Sequence, residues 1–112
     1  MGRYIVAAPG LSAVAISPNK VNAGVNYQAV SGDRIFCTAG NQTISLPLNT
    51  ICQESDIVQI VDQVGIAGTN NITVARNGSL IQGLAQDLTI NVNNAAITLF
   101  YTVALGWSIL VR

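Results

Sequence analysis

The stretch GIAGTNNITVARNGSLIQG, residues 65–83, decides the fold class, because its turns recur at the spacing of short strands. It runs from glycine to glycine through Asn70-Asn71 and Asn77-Gly78, with ITVAR between the turns. An Asn-Gly pair is the strongest short-range signal for a β-hairpin, since a type I′ turn needs positive φ at both central residues. No residue in the stretch is a candidate for chemistry, so the sequence predicts scaffold here.

Short strands and turns alternate in the same way from Val25 to the end of the chain. The predicted strand segments are VNYQAV, RIFCT, QTISLPL, DIVQIVD, NNITVAR, SLIQG, DLTINV, AAITLFY and GWSILVR. We therefore predict an all-β fold, a compact antiparallel β-sandwich or barrel of jelly-roll-like type with about seven to nine short strands. DIVQIVD, residues 56–62, is almost continuously apolar, which predicts a strand buried on both faces.

The N-terminal residues 1–24, MGRYIVAAPGLSAVAISPNKVNAG, differ in character from the rest of the chain. They are apolar and rich in alanine, they are interrupted by Pro9-Gly10 and Ser17-Pro18, and they show no sustained period of 2 or 3.6 residues. We predict an extended arm over residues 1–24, with one short strand at 4–7, followed by a β domain over residues 25–112. An apolar arm has to be covered, either by its own domain or by a neighbour.

The chain carries unusually few charges for its size. Of its 112 residues 50% are hydrophobic and only 9% are charged, and the net charge is zero. An average globular protein has roughly 25% charged residues, and a small soluble domain normally covers its surface with them. The composition therefore predicts that much of the surface is buried against partners, as in a subunit of an oligomer or assembly. Embedding in lipid is the alternative.

Several classes of function lack the residues that they need. There is no histidine, the most common general base and metal ligand. The five Lys and Arg residues are scattered, so no basic stripe for nucleic acid forms. No glycine-rich phosphate-binding motif opens a helix. We therefore expect no enzyme, no cofactor and no nucleic-acid partner.

Two small groups of residues leave alternatives open. The carboxylates of Glu54, Asp56 and Asp62 could bind calcium from one face of a strand, although charges at a strand edge that keep a sheet soluble are the favoured interpretation. Cys37 and Cys52 flank an apparent hairpin, RIFCT/QTISL. A disulfide between them is geometrically feasible, and buried free thiols are the favoured interpretation.

The uncharged segment AAITLFYTVALGWSILV, residues 95–111, is near the length of a membrane-spanning helix. Its β-branched and aromatic residues, and the break at Gly106, favour two buried strands around a turn. The N-terminus resembles a secretory signal only loosely, because Pro9-Gly10 interrupts its apolar part. We predict no membrane partner; a small membrane or secreted protein is the alternative.

Large side chains cluster in the last two predicted strands. Trp107 opens the final segment, and Phe100 and Tyr101 lie in the segment before it. Such residues contribute much of the burial energy in small β domains and in interfaces. We expect Phe100, Tyr101, Trp107 and Ile109 to pack in the core or against a neighbouring subunit. A sugar-binding platform built on these aromatic rings is the alternative.

Six short motifs follow one another in order: Gly32-Asp33, TISLP at 43–47, DIVQIVD at 56–62, GTNNITV at 68–74, SLIQG at 79–83 and GWSIL at 106–110. In this order they resemble a module that recurs in bacteriophage virion proteins, both in fibre proteins and in capsid-attached proteins. The chain departs from the module directly before DIVQIVD. There CQES stands where the module has a conspicuous glycine, which leaves the turn at that point open.

The resemblance implies a non-enzymatic, homotrimeric virion component. The sequence shows no long repetitive shaft and no second receptor-binding domain, which favours a capsid decoration (cement) protein over a tail fibre. Such a protein is made in the host cytoplasm, binds the assembled shell of major capsid protein and stabilises it. The arm would contact the shell or a neighbouring subunit through its larger side chains, Arg3, Tyr4, Ile5, Val6, Leu11, Val14 and Ile16. The alternative is a head or tail fibre module that binds host-surface glycans.

Overall fold

The computed structural model describes residues 19–111, which form nine strands and no helix. The strands are β1 (Asn19–Ala23), β2 (Tyr27–Gln28), β3 (Asp33–Cys37), β4 (Thr43–Ser45), β5 (Ile57–Asp62), β6 (Ile72–Ala75), β7 (Leu88–Ile90), β8 (Ala96–Thr102) and β9 (Gly106–Val111). The predicted all-β class is confirmed.

The strands form two mixed sheets. The five-stranded sheet has the order β1-β3-β5-β8-β9, and the four-stranded sheet has the order β2-β4-β6-β7. From β1 to β6 the chain passes from one sheet to the other after every strand. Of these strands, β1 to β4 each pair in parallel with the strand two places further along, as in the register Arg34↔Gln59 between β3 and β5. The pairings of β7, β8 and β9 are antiparallel.

The pairings among β1 to β6 are all parallel, so the predicted antiparallel arrangement is wrong for them. The two sheets also do not close into a barrel. The turns that were expected to form hairpins, such as that between RIFCT and QTISL, instead carry the chain across to the facing sheet. A hairpin and a crossing of this kind need the same turn residues and the same alternation of side chains. Only the packing of the two sheets distinguishes them.

The Asn77-Gly78 turn shows the same division between local and long-range structure. Both residues have positive φ, 50° and 90°, as a type I′ turn requires. The following segment, SLIQG, forms only isolated bridges through Ile81, so the predicted strand is wrong. The antiparallel partner of β6 is β7, which lies well beyond the turn and starts with the register pair Val74↔Leu88.

One hydrophobic core lies between the sheets. The inward side chains that are fully buried include Ile35, Val58, Ile60 and Leu99 from the five-stranded sheet and Ile44, Ile72 and Val74 from the four-stranded sheet. Contrary to the prediction, residues 19–111 bury β5 on one face only. Val58 and Ile60 are buried, but Ile57, on the opposite face, is 44% exposed.

Buried polar side chains hold the points where the chain changes sheet. The Asp33 carboxylate accepts hydrogen bonds from the Tyr27 hydroxyl at 2.8 Å and from the Val30 amide at 2.9 Å. The side-chain amide of Gln42 donates a hydrogen bond of 2.7 Å from Nε2 to the Ala23 carbonyl. Because a buried polar group without a partner costs free energy, these bonds favour the observed crossings over other connections.

The N-terminal arm is described only in part. Residues 19–23, the last part of the predicted arm, form β1 at the edge of the five-stranded sheet. The predicted boundary between arm and β domain, after residue 24, therefore assigns to the arm a strand that pairs within the sheet. Residues 1–18 lie outside the described residues. The predicted strand at 4–7 and the predicted contact residues Arg3, Tyr4, Ile5, Val6, Leu11, Val14 and Ile16 belong to that part.

The uncharged C-terminal segment forms two strands, β8 and β9, joined by a short loop before Gly106. Their antiparallel register runs from Ile97↔Val111 to Thr102↔Gly106. The prediction of two strands around a turn is confirmed. Within residues 19–111 no helix has the length and apolar character needed to cross a membrane.

Candidate interaction surface

The five-stranded sheet presents one face to the core and the other to solvent, because side chains alternate along each strand. We call the second face the outer face. Its residues are Lys20, Asn22, Arg34, Phe36, Ile57, Gln59, Val61, Ala96, Thr98, Phe100, Thr102, Ser108 and Leu110. Large apolar side chains are exposed on it, with Ile57 at 44%, Phe100 at 38% and Leu110 at 45%.

The charges of the outer face are all positive and lie together at one edge. Lys20 and Arg34 are directly opposite each other in the parallel register of β1 and β3. Lys20 Nζ lies 5.6 Å from the centre of the Phe36 ring, and Arg34 Nε donates a hydrogen bond of 2.9 Å to Gln59 Oε1. Like charges that face each other across strands are destabilising, and the outer face itself has no acidic side chain to offset them.

A shallow depression of about 310 Å³ has Arg34 in its lining, and Lys20 lies over the ring of Phe36, another lining residue. We call it the basic depression; it is lined by Arg34, Phe36, Gln59, Val61, Ala96, Ile97 and Thr98. Gln59 Nε2 donates to Thr98 Oγ1 at 3.3 Å, which continues the polar row that starts at Arg34. The depression therefore combines an apolar side with a cationic rim.

The loop between β8 and β9 is apolar and exposed. Its residues 103–105 are Val-Ala-Leu, and Val103 is 73% and Leu105 54% exposed. Glu54 lies beneath the loop, and its Oε1 accepts a hydrogen bond of 2.8 Å from the Val103 amide. We call residues 103–105 together with Glu54 the hairpin tip. Hairpin loops are usually polar, so two exposed aliphatic side chains in three residues indicate a contact surface.

The four residues expected to pack in the core or against a subunit occupy different positions. Trp107 is fully buried, and the Tyr101 ring packs edge-on against it with ring centres 5.3 Å apart. Ile109 packs against the same core and is partly buried. Of the four, only Phe100 lies on the outer face. Trp107 therefore cannot present its ring to a sugar in this structure.

Sequence reasoning missed the residues that define the two surfaces. The apolar Val-Ala-Leu between two strand segments was a usable signal for the hairpin tip. Nothing local indicated that Lys20 would lie opposite Arg34, because this pairing depends on the parallel register of β1 and β3.

The outer face of the four-stranded sheet differs in character. Thr43, Thr73 and Thr89 form one row across β4, β6 and β7, and Ser45 and Ala75 are neighbours in the next row. These side chains are small and uncharged.

The three candidate carboxylates do not form a cluster. Among residues 19–111, no three His, Cys, Asp or Glu residues come together as a cation site would require. Asp62 is 1% exposed, so the prediction of a solvent-facing edge charge is wrong for it. Its carboxylate accepts hydrogen bonds from the amides of Gly65, Ala67 and Asn94. Burial alone would raise the pKa of Asp62, but these amide donors outweigh burial and lower it.

Cys37 and Cys52 are free thiols. Cys37 is fully buried, and burial, together with the nearby charge of Asp62, raises its pKa to about 11. Cys52 is partly buried, and burial raises its pKa as well. A thiolate is the reactive form of cysteine, so neither site has the features of a catalytic nucleophile.

Known proteins give no direct guide to what these surfaces bind. No protein-family model matches this sequence, and no curated protein is similar to it. The resemblance to the phage virion module therefore depends on the six short motifs alone. The structure adds an outer face with exposed apolar side chains, a basic depression on that face and an apolar hairpin tip.

Proposed function

We propose that this protein is a non-enzymatic structural subunit of a bacteriophage virion, a capsid decoration (cement) protein that binds the assembled shell as a homotrimer. The observation that supports this most is the outer face of the five-stranded sheet. Four of the six residues of its central strand, β5, are apolar, yet residues 19–111 cover only one side of this strand. Soluble monomers rarely leave connected apolar surface of this kind open, and a neighbouring subunit would cover it.

Shell stabilisation would follow from binding alone. A ligand that binds only the assembled state shifts the equilibrium towards that state by mass action. In this proposal the two sheets form an open sandwich whose outer face contacts other subunits. Residues 1–18 and the surfaces left free then contact the major capsid protein on the capsid exterior.

The native mass of the full chain in plain buffer tests the oligomer. We expect a mass near three times 11.7 kDa by light scattering, persisting through a dilution series, and co-sedimentation with assembled shells but not with free capsid protein. A chain that remains a monomer with and without shells would contradict the proposal.

Removal of residues 1–18 tests the role of the arm. The described strands begin at Asn19, so a chain that starts there keeps all nine. We expect the truncated chain to retain its β circular-dichroism spectrum and to co-sediment less with shells. Unchanged co-sedimentation would show that the arm does not contribute to shell binding.

A fibre module that binds glycans has less support. Trp107 and Tyr101, the aromatic residues expected to contact a sugar, pack against each other at the core. Replacing Trp107 with Ala should therefore lower the melting temperature without a specific effect on saccharide binding.

A further inference from the structure

The hairpin tip and the basic depression are complementary surfaces of the same chain. The tip offers two exposed aliphatic side chains, Val103 and Leu105, next to the carboxylate of Glu54. The depression offers an apolar side formed by Phe36 and Val61 and a cationic rim. Each surface therefore combines apolar side chains with charge, and the charge of the tip is opposite to that of the depression.

The two surfaces are too far apart on one copy to meet. Ala96 and Thr98 line the depression, and Val103 follows directly after the same strand, five to seven residues further on. At about 3.4 Å per residue this is roughly 17–24 Å of extended chain. A paired strand cannot bend back over that length, so the tip and the depression of one copy cannot contact each other.

We infer that the hairpin tip of one copy docks into the basic depression of a second copy, with Glu54 facing Lys20 and Arg34. This inference deepens the proposed function and rests on its oligomeric subunit. The contact joins two different surfaces of the chain, so each copy can bind one neighbour through its tip and another through its depression. When the same contact is repeated around a rotation axis, the copies form a ring, and a ring that closes after three copies is a trimer. The incoming carboxylate would also relieve the repulsion between Lys20 and Arg34.

A charge-reversal experiment on the full chain tests the contact. In Arg34→Glu the rim loses its net positive charge and the new carboxylate at position 34 would repel Glu54 of the next copy, and in Glu54→Arg the tip would repel the cationic rim. We expect each single variant to weaken self-association by roughly tenfold or more, measured by sedimentation velocity. The double variant Arg34→Glu/Glu54→Arg restores an opposite pair between positions 34 and 54 at every contact, while Lys20 stays positive, and we expect it to recover part of the association.

Two further variants separate the contact from effects on folding. Glu54→Gln keeps the side-chain oxygen that accepts the Val103 amide but removes the charge, and we expect it to weaken association while the fluorescence of buried Trp107 stays native. Thr89→Glu places a new charge on the outer face of the four-stranded sheet, and we expect it to leave the native mass unchanged.

The outcomes distinguish this contact from the proposed function. If the wild-type chain forms trimers that Arg34→Glu and Glu54→Gln leave intact, the contact is wrong and the oligomer stands. Dissociation by Thr89→Glu instead would assign the interface to the other sheet. If both single charge reversals dissociate the oligomer and the double variant does not recover it, Glu54 and Arg34 are not partners. A wild-type chain that is a monomer at every concentration overturns the oligomer and this contact together.

Discussion

At the scale of single residues, buried polar groups determine how the loops connect the two sheets. Asp62 is the clearest case, since one carboxylate accepts amide hydrogen bonds from the loop after β5 and from the turn before β8. Asp33 does the same for the turn before β3 through the Val30 amide. Hydrogen bonds to a buried charge are stronger than those between neutral groups, so these two residues contribute to stability.

Replacing Asp62 with Asn should destabilise the fold by about 2–4 kcal/mol at neutral pH, because the loop amides lose a charged acceptor. Urea unfolding measures this. Asp87→Asn is the matched control, since Asp87 is exposed and accepts one amide, that of Arg76; we expect a much smaller loss. Equal unfolding midpoints for wild type and Asp62→Asn would contradict the assignment.

The same carboxylate predicts a dependence of stability on pH. The pKa of Asp62 is lowered in the folded chain, so its contribution is fully present above the pKa of an unfolded aspartate, about 3.9. It is lost as the pH falls through the lower folded pKa. The stability difference between wild type and Asp62→Asn should therefore shrink below about pH 4. A difference that stays constant down to pH 2 would show that the charge of Asp62 is not responsible.

The two thiols should react at different rates. Cys37 is fully buried with a pKa of about 11, whereas Cys52 is partly exposed. We expect a thiol reagent at pH 8 to modify Cys52 in the native protein and Cys37 only after unfolding, measured by mass spectrometry. In a Cys52→Ser variant no fast reaction should remain, and fast labelling of that variant would place Cys37 at the surface.

At the scale of structural elements, the hairpin of β8 and β9 presents the apolar tip and also closes the core. Trp107 donates its backbone amide to the Leu80 carbonyl at 2.8 Å, which brings the segment around Leu80 close to the start of β9. Gly106 allows this approach, because a Cβ atom there would clash with the Leu80 carbonyl oxygen. Its φ of +77° also disfavours other residues.

Gly106→Ala should therefore cost about 3 kcal/mol or more, from the backbone strain and the steric clash together. Gly83 offers a matched control, since its φ is +76° but a Cβ atom there meets nothing within 4 Å. Gly83→Ala should cost only about 1–2 kcal/mol, the penalty for a left-handed conformation. Thermal unfolding of the two variants compares them, and equal losses would mean that the close approach to Leu80 does not matter.

At the scale of the whole molecule, the distribution of charge favours association. The outer face of the five-stranded sheet holds two cations and no acid, and the hairpin tip of the same chain holds Glu54. Exposed apolar residues lie near both, among them Phe100 and Leu105. Covering such a surface with a neighbouring subunit would lower the free energy, because apolar area is removed from water.

If subunit contacts cover the outer face, stability should depend on protein concentration. Association that requires the folded state adds to the free energy of unfolding by mass action. We expect the melting temperature of the wild-type chain to rise over a hundredfold increase in concentration, and that of Arg34→Glu to change less. A wild-type melting temperature independent of concentration would indicate that the outer face is not an interface.

Local features of the chain could be predicted because they depend on neighbouring residues. RIFCT and DLTINV contain strands where alternation placed them, and Asn77-Gly78 adopts the turn that its residue types require. Pro47 lies just beyond the end of β4, as expected of a residue without an amide donor. The small number of charged residues can likewise be read from the composition alone, and it favours a protein whose surface is partly buried against partners.

The sequence by itself thus determined the class of the fold, most of its strands and the conformation of the Asn77-Gly78 turn. Only the tertiary structure decided that consecutive strands from β1 to β6 lie in different sheets, that residues 19–111 leave one side of β5 uncovered, and that Lys20 faces Arg34. The physical reason is that a strand and a turn are specified by residues close together in the chain. The pairing of β1 with β3, or of β3 with β5, is set instead by how two sheets fill one core, and residues distant in sequence determine that together.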